Sequence, residues 1–343
     1  MILRVSASPH VRHQDSTASI MRDVCIALVP ALLVACYFFG VRVLALTSVC
    51  VLSSVFFEYL SRLLMKRPQT ISDWSAVVTG MLLAFNLPAD FPYWMAVVGS
   101  FFAIVVAKQA FGGIGMNFVN PALTARVLML ISFPAEMTHY VIKGIFSNGL
   151  GNGAAAAGFA PKNLFSSLDL VSQATPLHNA LLNMDPANEA AAMPTLFESF
   201  IGCKAGVIGE VSIAALLIGA IYLLARKVID LSIPVAYIGT ALLFTWLCGA
   251  DPLVQLLNGG LILGAFFMAT DYVTSPVNRN GKIIFGIGCG ILTGLIRMYG
   301  SSSEGVSYSI LLMNILTPHI ERLTSKYPRK ERKAALRLQE KEA

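Results

Sequence analysis

Residues 23–40 read DVCIALVPALLVACYFFG, an apolar run whose one charged residue is the first. A helix of this length crosses the hydrocarbon core of a bilayer, which is roughly 30 Å thick. Because lipid offers no water to backbone N–H and C=O groups, an apolar run inside it must bond them internally as a helix. The stretch therefore predicts a membrane-crossing helix near residues 23–40.

Similar apolar runs fill most of the chain. Hydrophobic residues make up 56% of the 343 residues and charged residues 13%, and the mean hydropathy is +0.69. So few charges could not cover the surface of a soluble protein. We predict an all-α integral membrane protein with about ten transmembrane helices. After the first, the predicted spans lie near residues 43–64, 74–87, 93–108, 121–133, 207–225, 233–249, 252–270, 283–299 and 304–321.

Two predicted spans in the first half, near residues 74–87 and 121–133, are short. Such segments are typical of half-helices that end inside a membrane protein. The sequence TGMLLAFN at residues 79–86 also resembles LGAFFMAT at residues 263–270, in the third predicted span of each half. Since each half has an odd number of spans (about five), we expect two five-helix repeats of inverted topology. Chance similarity between short apolar stretches is the alternative.

The formal net charge of +6 comes from Lys and Arg at span ends and in the tail, a pattern of membrane orientation and not of nucleic-acid binding. If every segment crosses, most of these residues fall on one side, which is then the cytoplasm. We therefore expect a bacterial inner-membrane protein with both termini in the cytoplasm. The predicted domains are a cytoplasmic arm at residues 1–22, a first membrane repeat at 23–133, an extracytoplasmic loop at 134–205, a second membrane repeat at 206–322 and a basic cytoplasmic tail at 323–343.

The six cysteines lie in or beside apolar spans, and none forms a CxxC pair. That distribution is typical of small buried side chains. The spacing carries no metal or iron–sulfur signature, so we predict no metal site in this chain.

The polar interval at residues 134–205 is too long for a simple connector, and loops of this length are usually functional or disordered. It contains the sequence DLVSQATPL at residues 169–177. Taken alone, this stretch indicates no more than a turn or a helix cap that bears Ser and Thr.

Three stretches together carry a family resemblance. The pattern D-x-x-S-x-A-T at residues 169–175 resembles the flavinylation motif of the family that comprises the D subunits of Rnf complexes and the B subunits of Na⁺-translocating NADH:quinone reductases. The sequences GGIGMNFVNPALTAR at residues 112–126 and FMATDYVTSPVN at residues 267–278 resemble two further signatures of that family. The absence of a long N-terminal extension favours the Rnf D subunits.

The resemblance implies that Thr175 accepts FMN through a phosphoester to its hydroxyl, and that Asp169, Ser172 and Ala174 belong to the motif read by a flavin transferase. A threonine on an accessible loop can be presented to such an enzyme, whereas one inside a span could not. The implied partners are other membrane and peripheral subunits of the complex, besides the lipid bilayer. Because the related reductase subunit carries riboflavin, a second, non-covalent flavin is a further expectation to test.

By the same resemblance, the complex is a translocase that moves electrons between ferredoxin and NAD⁺ and couples this to transport of Na⁺ or H⁺. This chain would relay electrons through covalent FMN, while the protein fixes distances and tunes the potential. We expect no NAD site here, because the glycine-rich stretch at residues 112–115 lies between spans and outside any βαβ unit.

Three polar residues of one short segment are further cofactor-binding candidates. Arg126 is costly to bury in a span, and it would pair either with a flavin phosphate or with backbone carbonyls at a cavity wall. Asn120 and Thr124 lie near the start of the same segment. Asn120 and Pro121 would open a half-helix whose N-terminus favours an anion, or they would simply mark the turn.

Three carboxylates are candidates for the ion path. Glu58 and Glu210 interrupt apolar runs, where they would serve ion coupling or a hydrogen bond between helices. Asp271 follows an apolar run, and a cap on the cytoplasmic side would explain it as well. Carboxylates suit Na⁺ and H⁺ alike, so the coupling ion is left open.

Two other functions fit part of the pattern. A secondary transporter with inverted repeats and no redox cofactor explains the spans and half-helices but not the loop motif. A scaffold protein without redox work fits if Thr175 is unmodified.

Overall fold

The computed structural model describes residues 16–143, 170–172, 175–182, 194–202, 204, 206–300 and 305–324. The helices of the first half are α1 (Thr17–Phe39), α2 (Arg42–Leu64), α3 (Ser75–Phe85), α4 (Tyr93–Phe101) and α5 (Pro121–Ser132). The middle interval holds α6 (Pro134–Met137), β1 (Val141–Lys143), β2 (Leu170–Ser172), α7 (Pro176–Leu182) and α8 (Leu196–Ile201). The second half holds α9 (Ile213–Ala225), α10 (Ser232–Leu247), α11 (Pro252–Leu257), α12 (Leu261–Leu263), α13 (Arg279–Tyr299) and α14 (Val306–Thr324).

Two helices continue in the wider π geometry. α4 runs on as a π-helix at Phe102–Gln109, and α12 runs on as a π-helix at Gly264–Met268. Short 3₁₀ turns precede α3 and α9, at Ile71–Asp73 and Ile208–Glu210 respectively.

Three of the described helices, α1, α2 and α13, are long and apolar enough to cross a membrane on their own. Five shorter helical stretches, α3, α4 with its π continuation, α5, α9 and α10, are also apolar. The prediction of a helical membrane protein is confirmed in this form. The halves pack through α1 against α9 and through α5 against α14, around one hydrophobic core.

The predicted short segments in the first half are helices that lie inside the protein. α3 is buried on nearly every side between α1, α2 and α5, and it ends at Asn86. α5 begins at Asn120, whose side-chain oxygen accepts the amides of Ala122 and Leu123 at 3.1 and 3.3 Å. A helix that is apolar all round is the kind that a protein core or a membrane can bury completely.

The prediction of one continuous span near residues 252–270 is wrong. α11 ends at Leu257 and α12 begins at Leu261, with Asn258 extended between them. Gly259 and Gly260 adopt φ values of +77° and +65°. Because this left-handed conformation is open to glycine at little cost, the pair ends one helix and starts the next.

A small sheet also departs from the all-α prediction. β1 and β2 pair antiparallel, with Val141 opposite Ser172 and Lys143 opposite Leu170. Both strands belong to the interval at residues 134–205, and the elements of the two halves before and after it are helices.

Candidate cofactor sites

Thr175, the predicted FMN acceptor, is buried at the start of α7, with 6% of its surface exposed. Its carbonyl accepts the amide of Asn179 at 3.1 Å, and Pro176 takes the first helical position, which suits proline. α7 packs against α11. Contrary to expectation, the threonine of the folded chain is therefore not on an accessible loop.

The other motif residues are described only in part. Ser172 ends β2, where its backbone pairs with Val141. Asp169 and Ala174 lie outside the described residues. The structure therefore describes the surroundings of Thr175, and the roles of Asp169, Ser172 and Ala174 stay predictions.

The break between α11 and α12 lies beside α7. A Cβ added at Gly259 would lie 2.7 Å from the Cδ2 atom of Leu177, so this leucine fills the space that the glycine leaves. Thr175 stands two residues before Leu177 on the same short segment. The predicted acceptor therefore belongs to the end of the molecule that contains the broken helix.

Two buried cations bind the backbone at this break. Arg297 of α13 donates to three carbonyls, those of Gln255 (2.8 Å), Asn258 (3.1 Å) and Gly259 (2.9 Å). Lys204 donates to the carbonyl of Leu257, the last residue of α11. The last carbonyls of a helix have no partners within it and carry its negative end, so cations stabilise them.

Glu210 lies at the opposite side of the same break. A Cβ added at Gly260 would lie 2.6 Å from the Oε1 atom of Glu210, so the carboxylate contacts the backbone immediately before α12. A carboxylate is favourable near a helix N-terminus, where the dipole is positive. Oε1 is buried and has no hydrogen-bond partner in the described part of the chain.

Arg126 joins this group from α5. Its Nη1 atom donates to Oδ1 of Asn86 at 2.6 Å, at the end of α3. The turn that carries Glu210 packs on the same helix end, because the amide of Ile208 bonds the carbonyl of Leu87 at 3.1 Å. The predicted intramembrane arginine and the predicted carboxylate Glu210 therefore lie in one neighbourhood.

The positive charges of Arg126, Lys204 and Arg297 all act on Glu210. We call these three residues the cation cluster. Among the described residues, this group holds one carboxylate and three cations, which is an excess of positive charge in a buried environment. Burial lowers the pKa of Lys204 to about 8, an effect that Glu210 opposes and Arg297 reinforces. Such an arrangement favours an additional anion.

A second site is a cavity at the other end of α3. Its empty volume is about 820 Å³ with the adjoining open solvent included, and it is walled by α1, α3, the start of α5, the end of α9 and the stretch after α12. Most of the lining is apolar. The polar side chains that line it are those of Ser75, Thr79, Lys108, Asn117, Asn120, Thr270, Asp271 and Tyr272. A mostly apolar cavity with a few polar groups is typical of a small-molecule site.

Glu58 is the ion-pair partner of the cavity-lining Lys108. It is fully buried, and its Oε2 atom accepts Nζ of Lys108 at 2.7 Å. Its Oε1 atom accepts the hydroxyl of Thr70 at 2.8 Å. The structure therefore supports the interpretation of Glu58 as a partner between helices, and its role in ion coupling stays a prediction.

Asn120 and Thr124 make local bonds. Besides capping α5, Asn120 donates from Nδ2 to the carbonyl of Met268 at 3.4 Å, which links the two signature stretches across the halves. The Thr124 hydroxyl donates to the carbonyl of Asn120 at 2.9 Å. Of the two, Asn120 lines the cavity.

Asp271 also lines the cavity. Its carboxylate accepts the amide of Val273 at 3.4 Å and the hydroxyl of Thr274 at 3.2 Å, as a cap of the following turn does. Burial raises the pKa of Asp271, while these two bonds lower it. The cap accounts for its geometry, and the ion-path role stays a prediction.

From the sequence, Lys108, Lys204 and Arg297 are simply basic residues near span ends, which indicate membrane orientation. In the structure each is almost completely buried. The available signal for Arg297 was the Asn258-Gly259-Gly260 interruption of an apolar run, since a broken helix exposes carbonyls that need a donor.

The apolar helices are those of a membrane protein, and comparison with known proteins identifies its family. A model of the NQR2, RnfD, RnfE family matches residues 4–330. The chain therefore belongs to this family, and the resemblance inferred from its motifs is confirmed.

Similar proteins carry consistent names. Over 324 residues the chain is 50% identical to the D subunit of the Na⁺-translocating ferredoxin:NAD⁺ oxidoreductase complex of Acetobacterium woodii, covering 94% of this chain and 93% of that protein. It is 39% identical to the D subunit of the proton-translocating ferredoxin:NAD⁺ oxidoreductase complex of Clostridium ljungdahlii, covering 94% and 95%. It is 36% identical to the D subunit of the ion-translocating oxidoreductase complex of Cronobacter sakazakii, covering 94% and 98%.

Proposed function

We propose that this chain is the flavin-carrying membrane subunit of an Rnf-type complex, which transfers electrons between ferredoxin and NAD⁺ and couples the transfer to Na⁺ or H⁺ transport. Its relatives are named as D subunits of such complexes. Because those names differ in the ion, either ion fits. The other subunits of the complex would then be its partners, and the inner membrane its location.

The observation that carries the proposal is the packing of α7, the helix that Thr175 precedes, against α11, whose broken end binds Arg297 and Lys204. A phosphoester on the Thr175 hydroxyl would bring an anion to the end of the molecule where the charges of Arg126, Lys204 and Arg297 act on Glu210. Arginine and lysine are the usual partners of phosphate oxygens. The residues present thus fit covalent FMN at Thr175, which would supply electron transfer when bound.

The burial of Thr175 has a consequence for its modification. A flavin transferase cannot reach a threonine that is buried as Thr175 is in the folded chain. We therefore propose that attachment precedes the packing of α7 against α11. In the finished protein, the cation cluster would hold the phosphate and thereby help to fix α7 in place.

The cavity fits a second, non-covalent flavin such as riboflavin. An isoalloxazine ring is flat and largely apolar with a polar edge, and the lining combines apolar walls with a few polar groups. This group would lie toward one end of α3, which begins with the cavity-lining Ser75 and ends at Asn86 beside Arg126. At a rise of ~1.5 Å per residue, α3 would separate the two sites by roughly 16 Å.

The inverted repeat is part of the proposal. The related segments at residues 79–86 and 263–270 approach each other in space, because Nδ2 of Asn86 lies 3.7 Å from Sδ of Met268. A contact between corresponding segments near their ends is what a two-fold axis in the membrane plane would produce. On the positive-inside rule, the cavity end would face the cytoplasm and the Thr175 end the opposite side.

One observation favours the alternative of a secondary transporter without a redox cofactor. A helix broken at Asn258 beside the buried, unpartnered Oε1 of Glu210 is the kind of feature that such transporters use for binding. Under this alternative, the protein would carry no flavin.

Acid precipitation of the purified protein distinguishes these functions. We expect protein from cells that also express the flavin transferase to leave covalent flavin in the pellet and to release non-covalent flavin into the supernatant, both measured by absorbance. Flavin in the supernatant alone would contradict covalent attachment. A colourless pellet and supernatant would favour the transporter.

A further inference from the structure

Lys108 is the one cation among the described residues that line the cavity, and its position is unusual. It is 3% exposed and lies at the end of the π-helix that continues α4. π-Helical turns occur frequently at functional sites, because the extra residue changes where the following side chains project.

The ammonium group of Lys108 is held by two partners. It donates to Oε2 of Glu58 at 2.7 Å and to Oγ of Ser75 at 2.6 Å. Each partner is fixed in turn, since Thr70 bonds Glu58 at 2.8 Å and Ser75 donates to Asp73 at 2.6 Å. A lysine has three N–H donors, and in the described part of the chain the third has no acceptor.

Most hydroxyl donors around the cavity are used elsewhere. The Thr79 hydroxyl bonds the carbonyl of Ser75 at 2.9 Å, and the Thr270 hydroxyl bonds that of Phe266 at 2.7 Å. The Tyr272 hydroxyl donates to the carbonyl of Val228. Lys108 therefore combines a positive charge with an uncommitted donor at this wall.

A buried ion pair contributes little to stability by itself. Taking the charged groups of Lys108 and Glu58 out of water costs roughly several kcal/mol per ion, and a well-packed apolar pair is often as stable. A lysine that is fixed by two bonds and has a third donor free at a cavity is, in contrast, suited to binding. An acceptor in the cavity would complete its coordination.

We propose that Lys108 is a positioning residue that binds the acceptor edge of the non-covalent flavin in the cavity. The pyrimidine edge of an isoalloxazine ring carries carbonyl oxygens and ring nitrogens that accept hydrogen bonds. Glu58 and Ser75 orient the ammonium for this contact, and Glu58 moderates its charge. The inference rests on the proposed second flavin. It adds which side chain of the cavity binds that flavin and by which edge of the ring.

Riboflavin titration of the purified full-length protein, stripped of released flavin, tests this role through the quenching of riboflavin fluorescence. Lys108→Met is expected to weaken binding by about 10- to 100-fold, as the loss of a charge-assisted hydrogen bond does. Because that variant leaves Glu58 buried without its cation, the double variant Glu58→Gln/Lys108→Met, in which both charges are gone, is measured beside it. It is expected to show the same weakening.

Two further variants separate binding from structure. Glu58→Gln keeps the ammonium and removes its counter-charge, so we expect riboflavin to bind at least as tightly as in the wild type. A merely structural ion pair would weaken binding in all three variants. Lys227→Met, which removes an exposed lysine beside the cavity-lining Val228, is the matched control and should bind normally.

The outcomes are distinct for the two proposals. If the wild type binds riboflavin and the Glu58→Gln/Lys108→Met variant binds it equally well, the proposed role of Lys108 is wrong. The proposal of a second flavin is then still supported. If the wild type binds no riboflavin, the second flavin is wrong and the inference falls with it.

Discussion

Replacement of Thr175 by alanine is expected to remove all covalently bound flavin from the protein. The substitution deletes the hydroxyl to which the phosphoester would form and retains the Thr175 carbonyl that begins α7. On a denaturing gel under ultraviolet light, the wild-type band should fluoresce and the Thr175→Ala band should be dark. Both proteins must come from cells that express the transferase.

Thr195→Ala provides the matched control. Thr195 lies in the same interval of the chain and is exposed, whereas Thr175 is buried. If accessibility alone selected the acceptor, Thr195 would be the better substrate. We expect the Thr195→Ala band to fluoresce like the wild type. A Thr175→Ala band as bright as the wild type would contradict the assignment of Thr175 as the FMN acceptor.

Replacement of Arg297 by methionine is expected to lower the free energy of unfolding by about 3–5 kcal/mol, the cost of removing one partner from a buried charged network. The change leaves the carbonyls of Gln255, Asn258 and Gly259 without their donor in a buried environment. It also removes one of the three cations whose charges act on Glu210. Thermal melting in detergent, followed by the loss of monodisperse protein, measures the effect.

Arg279→Met is the control on the same helix. Arg279 is exposed at the start of α13, and substitutions at such surface positions usually change stability by less than about 0.5 kcal/mol. Equal melting temperatures for the Arg297→Met and Arg279→Met proteins would show that the break does not depend on Arg297. The account of the cation cluster would then need revision.

The elements that sequence alone predicted well are those that depend on local composition. α1, α2 and α13 follow from apolar runs long enough to cross a bilayer, and the short α3 and α5 follow from the polar residues and prolines that bound them. The helix break at Asn258 was missed, because two glycines hardly change the average hydropathy of their neighbourhood although their backbone conformation ends a helix.

The sites were harder to predict than the helices, because their members are distant in sequence. Glu58 and Lys108 are separated by 50 positions, and nothing in either local pattern indicates the other. Arg126 was recognised as a functional candidate from its cost in lipid, but its grouping with Lys204 and Arg297 required the fold. The burial of Thr175 likewise depends on the packing of α7 against α11, which loop composition does not encode.

Peptide mapping by mass spectrometry tests the central claim most directly. Protein from cells that express the flavin transferase is digested, and the peptide that contains Thr175 is fragmented to locate any added mass. The account predicts one FMN attached through a phosphoester at Thr175. A fully unmodified peptide, or FMN on another residue, would contradict it.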